Sequence, residues 1–393
     1  MSESMIYEAL GRRRDEIIGK LKKMNFDALQ NMVHRYWRPY QPRAIEDQSI
    51  AAVDGGEGRK EFFGYTLYIV SGVSIVYASE PRQYGFVDID ILHPPSIGER
   101  ISLFREILEG RAGLMASREA DTLFLDGSLR SIMIAPRPLR EETMLKTISR
   151  AHELFGENVF RDLEAAVLEN LYDYENTWYN PITSHIFMKD KILTDEHNDA
   201  IILVEYIEKL IIYRELLKKI KKGENTLVYV SKRSRAQNYF KDIDKELLPS
   251  GTPLPSDIVL FQWFTSEPGY SAPIIPEETS QAGRRFKVMP SVAGLREFYD
   301  KLKIAITYVR LVKNGPLLKL EIPLFGWKGE LEGLIEKLMD KLYTSSSPSD
   351  GYPYPLIEAD KQAKIPRVVV DNVALLLGLS PIPSGREVLG EWR

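Results

Sequence analysis

The sequence predicts a mixed α/β fold: one sheet flanked by helices, with helices ahead of it and a helical segment inserted into it. Runs rich in β-branched and aromatic residues, such as 50–53, 64–79 and 121–126, alternate with stretches whose apolar residues recur at helical spacing. Prolines and glycines punctuate the boundaries between them. The order is strand, hairpin, helix, strand, helices and strands again, without internal repeats, which is a mixed sheet interrupted by a helical region.

Ile6, Leu10, Ile17, Ile18, Leu21 and Met24 give one or two helices over 5–36, ended by Pro39 and Pro42. Ile50–Val53 reads as a short buried strand that stops at Asp54. "EFFGYTLYIV" and "VSIVYASE", joined at Ser71-Gly72, read as an antiparallel hairpin. "PPSIGERISLFREILEGRAG" (94–113) starts at prolines and places Ile101, Phe104, Ile107 and Leu108 on one side, a helix. A strand over 121–126 stops at Asp126-Gly127, before a second apolar run. Residues 142–173 and 195–222 read as two long helices. A strand "NTLVYVSKRSR", the apolar run 257–264 and a hairpin turning at Asn314-Gly315 follow. Helices over 329–343 and about 356–379 finish the chain. The expected organisation is an N-terminal helical region, 1–44, then a domain over 45–393 with its helical insertion at about 142–222.

The 393 residues are 44% hydrophobic and 27% charged, which fits a soluble protein with a sizeable core. No run is long and apolar enough to span a membrane, and the charged start does not read as a secretion signal, so a cytoplasmic protein is expected. There is no cysteine, which excludes disulfides, thiolate metal sites and a cysteine nucleophile. The five histidines, His34, His93, His152, His185 and His197, lack zinc-site spacing. A net charge of −4 means that any nucleic-acid contact must be local. Candidate clusters are Lys232, Arg233 and Arg235, the pair Arg284 and Arg285, and "KKIKK" at 218–222, with Tyr229, Tyr239 and Trp263 as candidate base-stacking groups.

Asp54 and Asp126 share a local design: an apolar run, then Asp, then Gly. Each alone is a turn signal. On neighbouring strands the two would bring both carboxylates to one edge of the sheet, with small neighbours that let a phosphate or a metal approach the backbone. Mg²⁺ and Mn²⁺ take such oxygens and need neither cysteine nor histidine.

A strand with Asp, two antiparallel strands, a helix with Glu and a parallel strand with Asp is similar to the plan of RNase H-like nucleases. Their carboxylates hold two metal ions that activate water and stabilise the leaving oxygen. The helical carboxylate is Glu106 or Glu109; Glu109 borders the apolar face and Glu106 lies closer to the solvated side. "AAVDGG", "LFLDGSL", "VYVSKRS" and "GYPYPLIEADKQA" resemble, in that order and over roughly 45–380, the NurA nuclease family of archaea.

The resemblance implies an RNase H-like nuclease in which Asp54, Glu109, Asp126 and Asp360 bind two Mn²⁺ or Mg²⁺ ions and Lys232 meets the scissile phosphate. Many family members carry His where Asp360 stands, and Glu358 competes for the same role. It also implies 5′→3′ exonuclease and single-strand endonuclease activity on DNA, in end resection for double-strand break repair by homologous recombination. It further implies a two-fold dimer working with the hexameric ATPase HerA; the chain has no GxxxxGK[ST] of its own. Two other readings remain: a DNA clamp without catalysis, and a small-molecule phosphohydrolase using Asp88 and Asp90 of "FVDIDIL".

Overall fold

The computed structural model describes residues 3–22, 26–46, 49–78, 80–189, 191, 194–223, 225–241, 247, 254–276, 290–326, 329–347 and 349–379. Nine strands form one mixed sheet: β1 (Trp37–Pro39), β2 (Ile50–Phe62), β3 (Tyr65–Tyr77), β4 (Arg82–Leu92), β5 (Thr122–Asp126), β6 (Thr226–Ser231), β7 (Gly269–Ser271), β8 (Lys303–Arg310) and β9 (Leu317–Leu324). Their order is β1-β7-β8-β9-β6-β5-β2-β3-β4. Counted from β2, the five strands at one side run 3-2-1-4-5, with β2, β5 and β6 parallel and β3 antiparallel to both β2 and β4, which is the RNase H-like arrangement. The other four strands extend the sheet beyond β6 through the antiparallel β6–β9 pair.

β2 and the hairpin that follows it differ from the sequence reading, and glycine explains both. β2 does not stop at Asp54 but runs thirteen residues to Phe62, paired throughout with β3. The turn between them is Phe63-Gly64, where Gly64 takes φ 88°, and Ser71-Gly72 lies mid-ladder opposite Gly56 and Gly55. These glycines mark close approaches rather than turns. A Cβ on Gly72 would lie 2.3 Å from the carbonyl carbon of Leu108, so the backbone of helix α3 (Ile97–Ala116) rests directly on it.

The helices follow the same physical cues. α1 (Glu3–Lys22) exposes Met5, Ile6, Tyr7 and Leu10, whereas α2 (Phe26–Tyr36) buries Leu29 and Val33 against Tyr239, Phe240 and Phe261. The apolar run after Asp126 is a helical turn, α4 (Leu129–Ile132), capped by Ser128. Gly156, at φ 102°, splits the first expected long helix into α5 (Met144–Phe155) and α6 (Val159–Asn170). Short turns α7 (Tyr174–Thr177) and α8 (His185–Met188) lead to α9 (Asn198–Lys221). Residues 200–214 of α9 are all buried, so it is a central core helix packed on α3. The run 257–264 is α10 (Asp257–Phe264), and α11 (Leu295–Tyr299) precedes β8. Beyond the sheet come α12 (Leu331–Thr344), α13 (Tyr354–Ala363) and α14 (Arg367–Leu376). Pro366 divides the last expected helix in two, because it cannot donate within a helix interior. Among the described residues no helix is long and apolar enough to cross a membrane.

Candidate metal centre

The parallel ladder sets Ile50–Val53 of β2 beside Thr122–Leu125 of β5 residue by residue, so the next positions, Asp54 and Asp126, emerge side by side. Asp54 accepts a hydrogen bond from the Gly55 N–H at 2.7 Å. Asp126 ends its strand, and Gly127 turns away at φ 105°. The turn is braced from β9: the fully buried Glu321 accepts from Ser128 Oγ at 2.9 Å and from the Arg130 N–H at 3.0 Å.

α3 supplies the third carboxylate, since Glu109 is buried where the helix crosses β2 and β3. A Cβ on Gly55 would fall 2.3 Å from Glu109 Oε1 and 2.8 Å from Arg105 Cγ. Gly55 therefore leaves room for protein side chains, where the sequence suggested room for a phosphate. Gly56 has a different neighbour: its Cβ would sit 1.8 Å from the carbonyl oxygen of Ala363, the last residue of α13. Gly56→Ala is expected to destabilise the fold by about 3 kcal/mol, because backbone rather than a flexible side chain must move. Gly55→Ala should cost less stability while displacing Glu109, and thermal unfolding of the two variants compares them.

α13 brings Asp360 to the same edge. It is exposed, and its charge bears on both Asp54 and Asp126. Glu358 is tied to Gln362 at 2.7 Å, and its charge acts on Tyr77, at the far end of the β2–β3 ladder. Glu106 is not on a solvated side: it accepts from Lys209 Nζ of α9 at 2.8 Å, and that ammonium is itself buried. Lys232 follows β6, is exposed, and lowers the pKa of Asp126; Arg233 lines the cavity over the carboxylates and Arg235 is exposed. Arg284 and Arg285 lie outside the described residues. Tyr229 and Tyr239 are core residues, which leaves Trp263 as the exposed aromatic of the three. Asp88, buried in β4, accepts from Tyr68 Oη at 2.6 Å, so that carboxylate is committed to the core.

A family model for the NurA domain matches residues 48–365. The chain belongs to the NurA family. It is 24% identical over 386 residues to the DNA double-strand break repair nuclease NurA of Sulfurisphaera tokodaii, covering 95% of each chain. It is 25% identical to the probable NurA repair nuclease of Methanocaldococcus jannaschii, covering 98% of this chain and 92% of that one. The NurA nuclease from Sulfolobus solfataricus superposes with a TM-score of 0.66 at 20% identity, over 96% and 97% of the two chains. A crystal structure of NurA bound to dAMP and manganese superposes with a TM-score of 0.54 at 17% identity, over 92% of each.

The charges of this NurA-family site repel one another. Burial, then Asp126 and Asp360, push Asp54 up to about 7, against the Gly55 N–H and Arg105. Burial pushes Glu109 up to about 8, opposed chiefly by Arg105, whose Nε lies 3.3 Å from its carboxylate. Asp126 is raised by burial too, and Lys232 and the Gly127 N–H oppose the rise. Among the described residues, no three Asp, Glu or His side chains close tightly enough to hold an ion as they stand. The donor set still fits a hard divalent cation: all-oxygen, half-buried, short of positive charge, and bordering a cavity of about 370 Å³.

Two neighbours escaped the sequence reading. Arg105 joins Glu109 to Glu57 (3.6 Å), one helical turn before Glu109, and that i,i+4 spacing was the available signal. Tyr352 lies within the segment that carries the family resemblance. Its hydroxyl is buried without a hydrogen-bond partner, at a cost of roughly 1–3 kcal/mol, and its ring centroid is 3.8 Å from Lys232 Nζ.

Proposed function

We propose that this chain is a divalent-metal-dependent deoxyribonuclease acting in repair of double-strand breaks. The supporting observation is the register that sets Asp54 beside Asp126 and gathers Glu109 and Asp360 around them. Asp54, Glu109, Asp126 and Asp360 would hold Mn²⁺ or Mg²⁺, two ions by analogy with RNase H-like enzymes, to activate water and stabilise the leaving oxygen. Lys232 faces the phosphate as a point charge beside Asp126. Arg233 and Arg235, with Arg284 and Arg285, guide the DNA backbone. Asp54, Glu109 and Asp126 are raised in pKa, so protons compete with the cation near neutral pH and metal binding is expected to tighten as pH rises.

Family membership also supports the finer reading: 5′→3′ exonuclease and single-strand endonuclease activity in end resection, a homodimer, and the HerA hexamer as the DNA motor, all in the cytoplasm. Linear DNA labelled at either end and incubated with Mn²⁺ tests the activity. Short products released from the 5′ label, lost on chelation and slowed by Lys232→Ala, are expected. DNA binding without cleavage in Mn²⁺ or Mg²⁺ would instead leave the clamp reading, and cleavage from the 3′ end would overturn the polarity. Co-purification with HerA and the mass in solution test the partner and the dimer.

A further inference from the structure

We propose that Arg105 is a built-in counter-cation of this centre: it holds Glu109 in the metal-free protein and transfers to Glu57 on metal binding. This rests on the metal-dependent reading above.

Glu109 is already committed to a cation. Arg105 Nε lies 3.3 Å from its Oε1, and Arg105 Nη1 lies 3.6 Å from Glu57 Oε2. Among the described residues, Asp54, Asp126 and Asp360 make no such ion pair. No three Asp, Glu or His side chains among those residues close tightly enough to hold an ion as they stand, so a ligand has to shift. Glu109 is the one under restraint.

The restraint is loose for a buried arginine. Arg100 donates from Nε to both oxygens of Glu205, at 2.8 and 3.1 Å. Arg111 leaves its Nε bare, but its terminal nitrogens donate to the Pro181 and Asn170 carbonyls at 2.6 Å each. Arg105 Nε is buried without a hydrogen bond, and both of its ion pairs are longer than those contacts. Charge holds the guanidinium rather than directed hydrogen bonds, and a divalent cation can take over that charge. Glu109, Glu57, Glu106 and Asp54 all act on it, so its position is that of a cation neutralising a carboxylate cluster.

Glu57 offers the second berth. Its side chain is 38% exposed against 11% for Glu109, so the guanidinium gains solvent as it leaves. The move is short, because Glu57 is within reach from the start. The space it clears belongs to the cavity that Asp54, Glu109 and Asp126 line.

Mn²⁺ titration of the full-length protein without DNA, followed by the EPR signal of free Mn²⁺, tests this, with cleavage of linear DNA as the control. Arg105→Gln is expected to tighten Mn²⁺ binding about tenfold, because a competing charge is gone. Arg105→Lys, which keeps the charge, should bind within about threefold of the wild type. Glu57→Gln removes the berth and should weaken binding about fivefold, an effect that should vanish in the Arg105→Gln background. Metal-free Arg105→Gln should melt lower than the wild type and gain more from Mn²⁺. Arg105→Gln binding no tighter than a wild type that cleaves overturns the proposal alone. A Glu57→Gln effect that persists without Arg105 overturns the second berth. If Arg105→Gln does not fold without metal, Glu57→Gln decides, and unweakened binding overturns the proposal. A wild type that neither binds Mn²⁺ nor cleaves overturns it together with the nuclease reading.

Discussion

Asp54→Asn and Asp126→Asn are each expected to reduce Mn²⁺-dependent DNA cleavage by about 10³-fold or more while making the metal-free protein harder to unfold at pH 8. A merely destabilising mutation moves both quantities downward, so the opposite signs identify a metal ligand. The stability gain follows from linkage. Asp54 titrates near 7 in the folded chain against 3.8 as a free side chain, and Glu109 near 8 against 4.5. Between those limits the folded state binds more protons than the unfolded one, so stability falls as pH rises from about 4 to 8. Above that window the penalty is complete, on the order of 2 kcal/mol after allowance for partial exposure. Asparagine removes one buried charge and relieves its neighbour. Melting curves at pH 5 and pH 8, with and without Mn²⁺, check this. The wild type should melt lower at pH 8 than at pH 5, recover with Mn²⁺, and lose much of that pH dependence in either variant. A wild type whose metal-free stability rises from pH 5 to pH 8 would show that burial and mutual repulsion do not raise these carboxylates.

Most of the RNase H-like sheet was legible because β3, β5, β6 and the start of β2 carry continuous apolar runs and the crossover helix is bracketed by prolines and glycines; β4, where Asp88 and Asp90 interrupt the apolar residues, was not. Asp54 and Asp126 were legible for the same reason: parallel strands of similar pattern end in register. What the sequence hid is what depends on contact at a distance. Gly55, Gly56 and Gly72 look like turn residues locally, yet each is required by a partner remote in sequence: Glu109, the Ala363 carbonyl and the Leu108 backbone. Glu358 and Asp360 are two residues apart on one helix, and only docking of α13 on β2 and β3 separates them. The run 257–264 is apolar enough for a strand but folds as a helix, with Leu260 and Phe261 packed between α2 and the sheet residues Ile306, Tyr308 and Leu317.

Glu109 and Glu106 show how far three residues on a helix can diverge, and paired substitutions should separate them. Glu109→Gln is expected to lower cleavage by about 10³-fold and leave the melting temperature at or above the wild type. The reason is local: Glu109 is buried beside Asp54 with its pKa driven upward, so a neutral isostere fits the metal-free pocket at least as well. Arg105 keeps Glu57 as a partner when Glu109 loses its charge. Glu106→Ala should do the reverse. It strips the only carboxylate hydrogen-bonded to Lys209 Nζ among the described residues, leaving a buried ammonium with the Ile132 carbonyl at 2.6 Å. Breaking one side of such a pair costs about 3–5 kcal/mol. Glu106→Gln, whose amide oxygen still accepts from the ammonium, should recover most of that loss. Cleavage per folded molecule should stay within about threefold of wild type in both Glu106 variants, since the lysine and not the metal is its partner. Melting temperatures and single-turnover rates on the four proteins decide the matter. An inactive but stable Glu106→Gln beside an active Glu109→Gln would transfer the metal-binding role to Glu106.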